Sequence, residues 1–102
     1  MSAELPTRDA FFACLHEHFS ALNVQPQPVD LELVEVSPLR VSGRQSGFSI
    51  LFRGPADLPL PQYTYTLRHA TLGEMDLFLV PVGRKAGGYE YEAVFNQLNP
   101  VA

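Results

Sequence analysis

The sequence predicts an α+β domain, with an N-terminal helix packed on about five mostly antiparallel strands that form a curled sheet or small open barrel. Three observations carry this. Apolar residues recur at helical spacing over 7–23, then at strand spacing in five later stretches, and the links between those stretches are short. With 102 residues, 46% hydrophobic and 18% charged, the chain suits one folded domain (1–102) with one core.

Thr7 reads as the helix N-cap and Asp9 as a first-turn acid facing the positive end of the helix dipole. Phe11, Phe12, Leu15, Phe19 and Leu22 then share one face of a 3.6-residue repeat. The helix is expected to stop near Asn23, because the following QPQP disfavours helical geometry before each proline.

Strand 29–36, VDLELVEV, alternates until Leu33–Val34, where the slip predicts a bulge or two covered faces. Ser37–Ser46 reads as an exposed connection. Strand 47–53 points Phe48, Ile50 and Phe52 inward, Ser49 and Arg53 outward, and leaves Leu51 outside asking for partial cover. Gly54–Gln62 is proline-rich and expected to lie extended on the surface.

The organising hairpin joins strand 63–69, with Tyr63, Tyr65, Leu67 and His69 on one face, to strand 75–81, both of whose faces want cover. Pro81 cannot donate to a ladder, so pairing should weaken or end there. GRKAGG reads as a flexible turn, and strand 89–96 closes the chain.

A net charge of −4 argues against nucleic-acid or anionic-membrane binding driven by charge. The single cysteine, Cys14, excludes an internal disulfide and a cysteine-based zinc framework. The opening MSAELPTRDAFF has no basic-then-apolar leader pattern, so a cytoplasmic setting is expected.

At FSILFRGP, LPLPQYTYTLRHATLGEMDLFLVPVG and YEYEAVFN the chain resembles a small bacterial family of uncharacterised domains, over Val29–Gln97 with a compatible N-terminal helix. Tyr63–Tyr65 stand where a glycine is expected near the start of the family's hairpin. The resemblance carries over no active site. It implies genomic neighbourhood with phage-tail-collar-type proteins, and hence an accessory or structural role.

His69 is the best single candidate for chemistry, since an imidazole near a strand end can exchange protons; a hydrogen bond to the turn backbone is the plainer account. Cys14 and His18 stand at i, i+4 but lack a second ligand pair, so no metal and no cofactor is expected. Ser46, His69 and Asp76 supply the residue types of a hydrolytic triad without a GxSxG elbow. Glu90 and Glu92 read as solvated strand residues, and the four tyrosines as cross-strand packing.

These readings favour a non-enzymatic interaction or structural accessory module, linked to a phage-tail-like assembly, that takes a protein partner or self-associates. Its expected contact surface comprises Leu51, Arg53, Leu58, Leu60 and Pro61. The alternative is a small-molecule binder or modest enzyme with a pocket around His69, Tyr63 and Tyr65.

Overall fold

The computed structural model describes residues 5–85 and 87–98. It is nearly all β: seven antiparallel strands run in the order β2-β1-β5-β6-β7-β4-β3, and a further β2–β4 pairing closes six of them into a barrel. The strands are β1 (His18–Ala21), β2 (Val29–Val36), β3 (Arg40–Ser42), β4 (Gln45–Gly54), β5 (Tyr63–His69), β6 (Gly73–Lys85) and β7 (Gly88–Leu98). The expected α+β sheet with a docked helix is therefore corrected to a closed barrel.

The correction lies in the first 23 residues. Thr7 does cap a helix, its hydroxyl accepting from the Ala10 amide at 3.1 Å, but helix α1 ends after five residues, Arg8–Phe12. Tight turns follow, His16 turns the chain at a positive φ of 71°, and residues 16–17 pair with Leu33 of β2 through His16 N–H to Leu33 O and Leu33 N–H to Glu17 O. His18–Ala21 then enters between β2 and β5, with Phe19 opposite Leu31 and Ala21 opposite both Val29 and Leu67. A helix there would leave two sheet edges unpaired, and four residues of strand remove both. Beyond Ala21 the Asn23 side chain continues the ladder, donating to Thr64 O and accepting from Thr66 N.

The slip in β2 is a bulge, with the β2–β4 register shifting between Leu33 and Glu35, so that Leu33 and Val36 both reach the core. Part of the presumed exposed connection after it is β3, which hairpins onto β4 through Gly43. Ser37 carries the ladder across the kink: its amide donates to Ser49 O and its hydroxyl accepts from the Ser49 amide. Pro81 does not end its strand. It stands opposite Tyr91, the register shifts between Pro81 and Gly83, and pairing resumes to Lys85 opposite Gly88. Ala86 of that turn lies outside the described residues.

The β6–β7 ladder runs only from that turn to Val80 opposite Glu92, so Gly73–Leu79 pair with β5 and Ala93–Leu98 with β4. The strands splay at this end, where Phe11 of α1 packs against Phe48 and Phe95, ring centroids 6.2 and 5.4 Å away. The outer face of β6 is not covered as expected: Phe78 is 52% exposed and Val82 50%.

Inward-facing Phe19, Leu31, Leu33, Ile50, Phe52, Leu67, Leu79 and Tyr91 fill the barrel, each less than 2% exposed. Gly54 makes room among them, since a Cβ there would stand 2.8 Å from Leu31 Cδ2. A small barrel packed in this way is a core and not a container. Among the described residues no helix is long and apolar enough to cross a membrane.

The proline-rich 54–62 segment crosses one barrel end with residues 56–59 and 61–62 exposed, as expected, but not all of it stays on the surface. Leu60 is buried as a plug, and its amide donates to the Tyr91 hydroxyl at 2.8 Å. Burial pushes the Tyr91 phenol above its ordinary value, against the lowering effect of that amide, and burial also raises Tyr65. Unfolded phenols ionise near pH 10 and the folded ones higher, so their contribution to stability is complete below about pH 10 and declines as pH climbs through the folded values. Tyr91→Phe is accordingly expected to cost about 1–2 kcal/mol at pH 7 by orphaning the Leu60 amide. It should also flatten the alkaline loss of stability, which urea unfolding at pH 7 and pH 10.5 will read.

Candidate functional site

The residues singled out from the sequence fall in three places. Tyr63 and His69 occupy opposite ends of β5, so the expected pocket joining them does not form. Leu51 sits on the outer wall between Glu35 and Glu92, while Leu60 is 5% exposed and reaches the groove only as part of its buried floor. Leu58, Pro61, Tyr63 and Tyr65 do come together, lining one groove of about 400 Å³ at the plugged barrel end.

His69 is 5% exposed and packs tilted against Phe19, ring centroids 4.6 Å apart. Its Nδ1 accepts from the amides of Thr71 and Leu72 at 3.0 and 3.1 Å, so the proton sits on Nε2 and is donated to Glu17 Oε1 at 2.7 Å. The plainer reading of this histidine thus describes its geometry: it caps the β5–β6 turn and ties it to the start of β1.

Ligand atoms of Cys14, Glu17 and His69 lie within 4.8 Å of one another. The polarity of the ring is wrong for a metal. Ligation through Nε2 would move the proton to Nδ1, where two main-chain donors already point, whereas a ligating histidine presents its other N–H to an acceptor. Burial, and then the Glu17 charge, push the Cys14 thiol upward, which disfavours the thiolate that metals and electrophiles require. The i, i+4 pair of Cys14 and His18 is dissolved by the strand, since His18 turns outward to pair with Asp30. Replacing His69 by alanine is expected to cost about 2 kcal/mol in urea unfolding. Nitrogen-15 NMR of the wild type should show Nδ1 unprotonated and Nε2 protonated.

Glu90 also departs from its expected solvated state. It is 5% exposed, and its carboxylate accepts from Arg53 Nη2 at 3.0 Å. Arg53, expected on the contact surface, is the centre of a transverse row in which Glu32, Arg53 and Glu90 are direct cross-strand neighbours.

The groove is built by the β1–β2 loop, the 58–61 segment and the start of β5. Tyr63 is 57% exposed and stands edge-on to Tyr65, while Leu58 is 39% exposed. Two of its polar side chains are already engaged: the Tyr65 hydroxyl donates to Pro61 O, and both ends of the Asn23 amide are held by β5. The sequence marks Asn23 only as a helix end and does not single out Val24. Only the fold, by turning 18–21 into a strand, brings their loop to this groove.

A family model described as Domain of unknown function (DUF6916) matches residues 6–95. The chain belongs to this family. The matched span takes in α1, the groove and the barrel strands, β7 only as far as Phe95, and within this DUF6916 domain the LFLVPVG stretch lies in β6. No curated protein and no solved structure matches the chain.

Proposed function

We propose that the domain is a non-enzymatic interaction module that docks a protein segment in the groove beside Tyr63, and that it serves in the cytoplasm as an accessory or structural component of a phage-tail-like assembly. The observation that carries this reading is the exposure of Tyr63 and Leu58 in one groove, beside a Tyr65 hydroxyl and an Asn23 amide that are already bonded. An exposed tyrosine beside an aliphatic side chain in a shallow depression is the composition that anchors protein interfaces. The filled barrel and the internally bonded His69 favour this over a pocket for a small molecule. The assembly itself rests on the genomic neighbourhood that the family resemblance implies.

Affinity capture from the native host, with mass spectrometry as readout, tests the reading. Wild type should retain a structural protein of such an assembly at stoichiometric yield, and Leu58→Asp/Tyr63→Ala should lose it while keeping its circular dichroism. Leu51→Asp, on the outer wall, should capture as wild type does. Equal capture by the groove variant would sink the proposed surface.

A further inference from the structure

Independently of the groove, we propose that the seam between β6 and β7 takes an extended, basic-ended segment of a partner protein, added as a further strand of the barrel. Main-chain direction decides this. Leu22 N–H donates to Thr66 O, and the Asn23 side chain holds Thr64 O and Thr66 N–H, so these β5 residues face β1. Successive residues of a strand turn their main-chain groups to opposite neighbours. Tyr65 and Leu67 therefore bond to Leu77 and Met75 of β6, which leaves Asp76, Phe78 and Val80 facing β7. On β4, Ser49 is held by Ser37, so Phe48 and Ile50 face β7 and bond to Phe95 and Ala93, which leaves Glu92, Val94 and Asn96 facing β6. Of these, only Val80 and Glu92 meet. Continued in register, the ladder would join Phe78 to Val94 and Asp76 to Asn96. It stops short, and those four residues have no partner strand on the facing side.

Each lip of the seam thus offers N–H donors and C=O acceptors at strand spacing. A helix has already used its own main-chain groups and a proline-rich segment brings no donors, so neither can satisfy such a row. An extended chain presents both groups at the same repeat, as peptides do when they add to a sheet edge. The side chains define the occupant further. A cleft of about 200 Å³ lies between the lips, lined by Leu5, Leu77 and Ala93 among others. Phe78 and Val94, one on each lip, are 52% and 61% exposed, and an apolar residue inserted between them would be covered on both flanks. Asp76 and Glu92 also line the cleft, and among the described residues no Lys or Arg does, which selects basic residues at the ends of the segment.

Amide exchange and titration of the full chain, both observed by heteronuclear NMR, test the proposal. In the free protein the amides of Asp76, Phe78, Val94 and Asn96 should exchange at least about tenfold faster than those of Leu77, Leu79, Ala93 and Phe95. The probe is acetyl-Lys-Val-Thr-Val-Thr-Val-Lys-amide. Saturable protection of the seam amides on either lip, and an affinity at least about tenfold lower in Val94→Pro, would support the proposal. That proline removes an N–H that faces only the seam, and Phe78→Lys, which replaces an exposed side chain, should weaken binding equally while keeping its circular dichroism. No saturable binding would overturn the proposal, as would equal binding by the peptide N-methylated at its five central residues or ended with Glu in place of Lys. Seam amides already protected in the free chain would also overturn it. Tyr63→Ala should bind the probe as wild type does; loss of binding there would move the peptide to the groove and sink the seam. A wild-type dimer in sedimentation equilibrium that Phe78→Lys dissociates would give the seam to a second copy, and so overturn the foreign segment.

Discussion

Replacing Phe19 by alanine is expected to cost about 3–5 kcal/mol, the range for deleting a fully buried aromatic. That is a large share of the roughly 5–15 kcal/mol that holds a domain folded. Phe19 has no exposed surface, stands edge-on to Phe52 at 5.2 Å and packs against the His69 ring, so its removal leaves a cavity bounded by β1, β4 and β5. The control is Phe12→Ala. On a helical wheel Phe12 and Phe19 share the buried arc, but in the barrel Phe12 is 50% exposed under the Arg8 guanidinium. It should shift stability by about 0.5 kcal/mol or less. Urea midpoints of the two variants separate the folds: similar losses would restore the docked helix, and a wide gap supports the strand.

Arg53→Met is the second large effect, expected near 3 kcal/mol. It strands the Glu90 carboxylate, whose side chain is 7% exposed, without its guanidinium partner. Breaking a buried ion pair on one side costs about 3–5 kcal/mol, and because a third of the Arg53 side chain meets solvent the low end applies. The double variant Arg53→Met/Glu90→Leu should recover most of the loss, since the desolvated charge disappears with its partner. The pair is not ideally satisfied even in the wild type: Arg53 Nε is buried without an acceptor among the described residues. An Arg53→Met variant as stable as wild type would mean that water reaches Glu90 and that the ion pair is incidental.

The candidate site was only partly legible. Leu58, Pro61, Tyr63 and Tyr65 stand in the sequence reading, but split between a partner surface and a rival ligand pocket; folding puts all four around one groove. Leu60 has the same apolar character as Leu58 and no local signal marks it as a plug. Its burial depends on Tyr91, 31 positions away, offering a hydroxyl to its amide. Glu90 likewise occupies an outward alternation position, and only Arg53 across the ladder explains its burial.

By itself the sequence determined the strands whose side chains alternate between core and water, because that period is a local property: VDLELVEV with its bulge, GFSILFR, YTYTLRH and its hairpin partner, and YEYEAVFN all lie within strands. It also determined the start of α1, since Thr7 needs only its own neighbours to cap it. Closure was decided by the tertiary structure alone. Over Phe11–Leu22 the apolar residues satisfy a helical repeat, and a four-residue HFSA segment is too short for alternation to oppose it. What turns that segment into β1 is the pair of open edges on β2 and β5, whose main-chain groups have partners only if a strand lies between them.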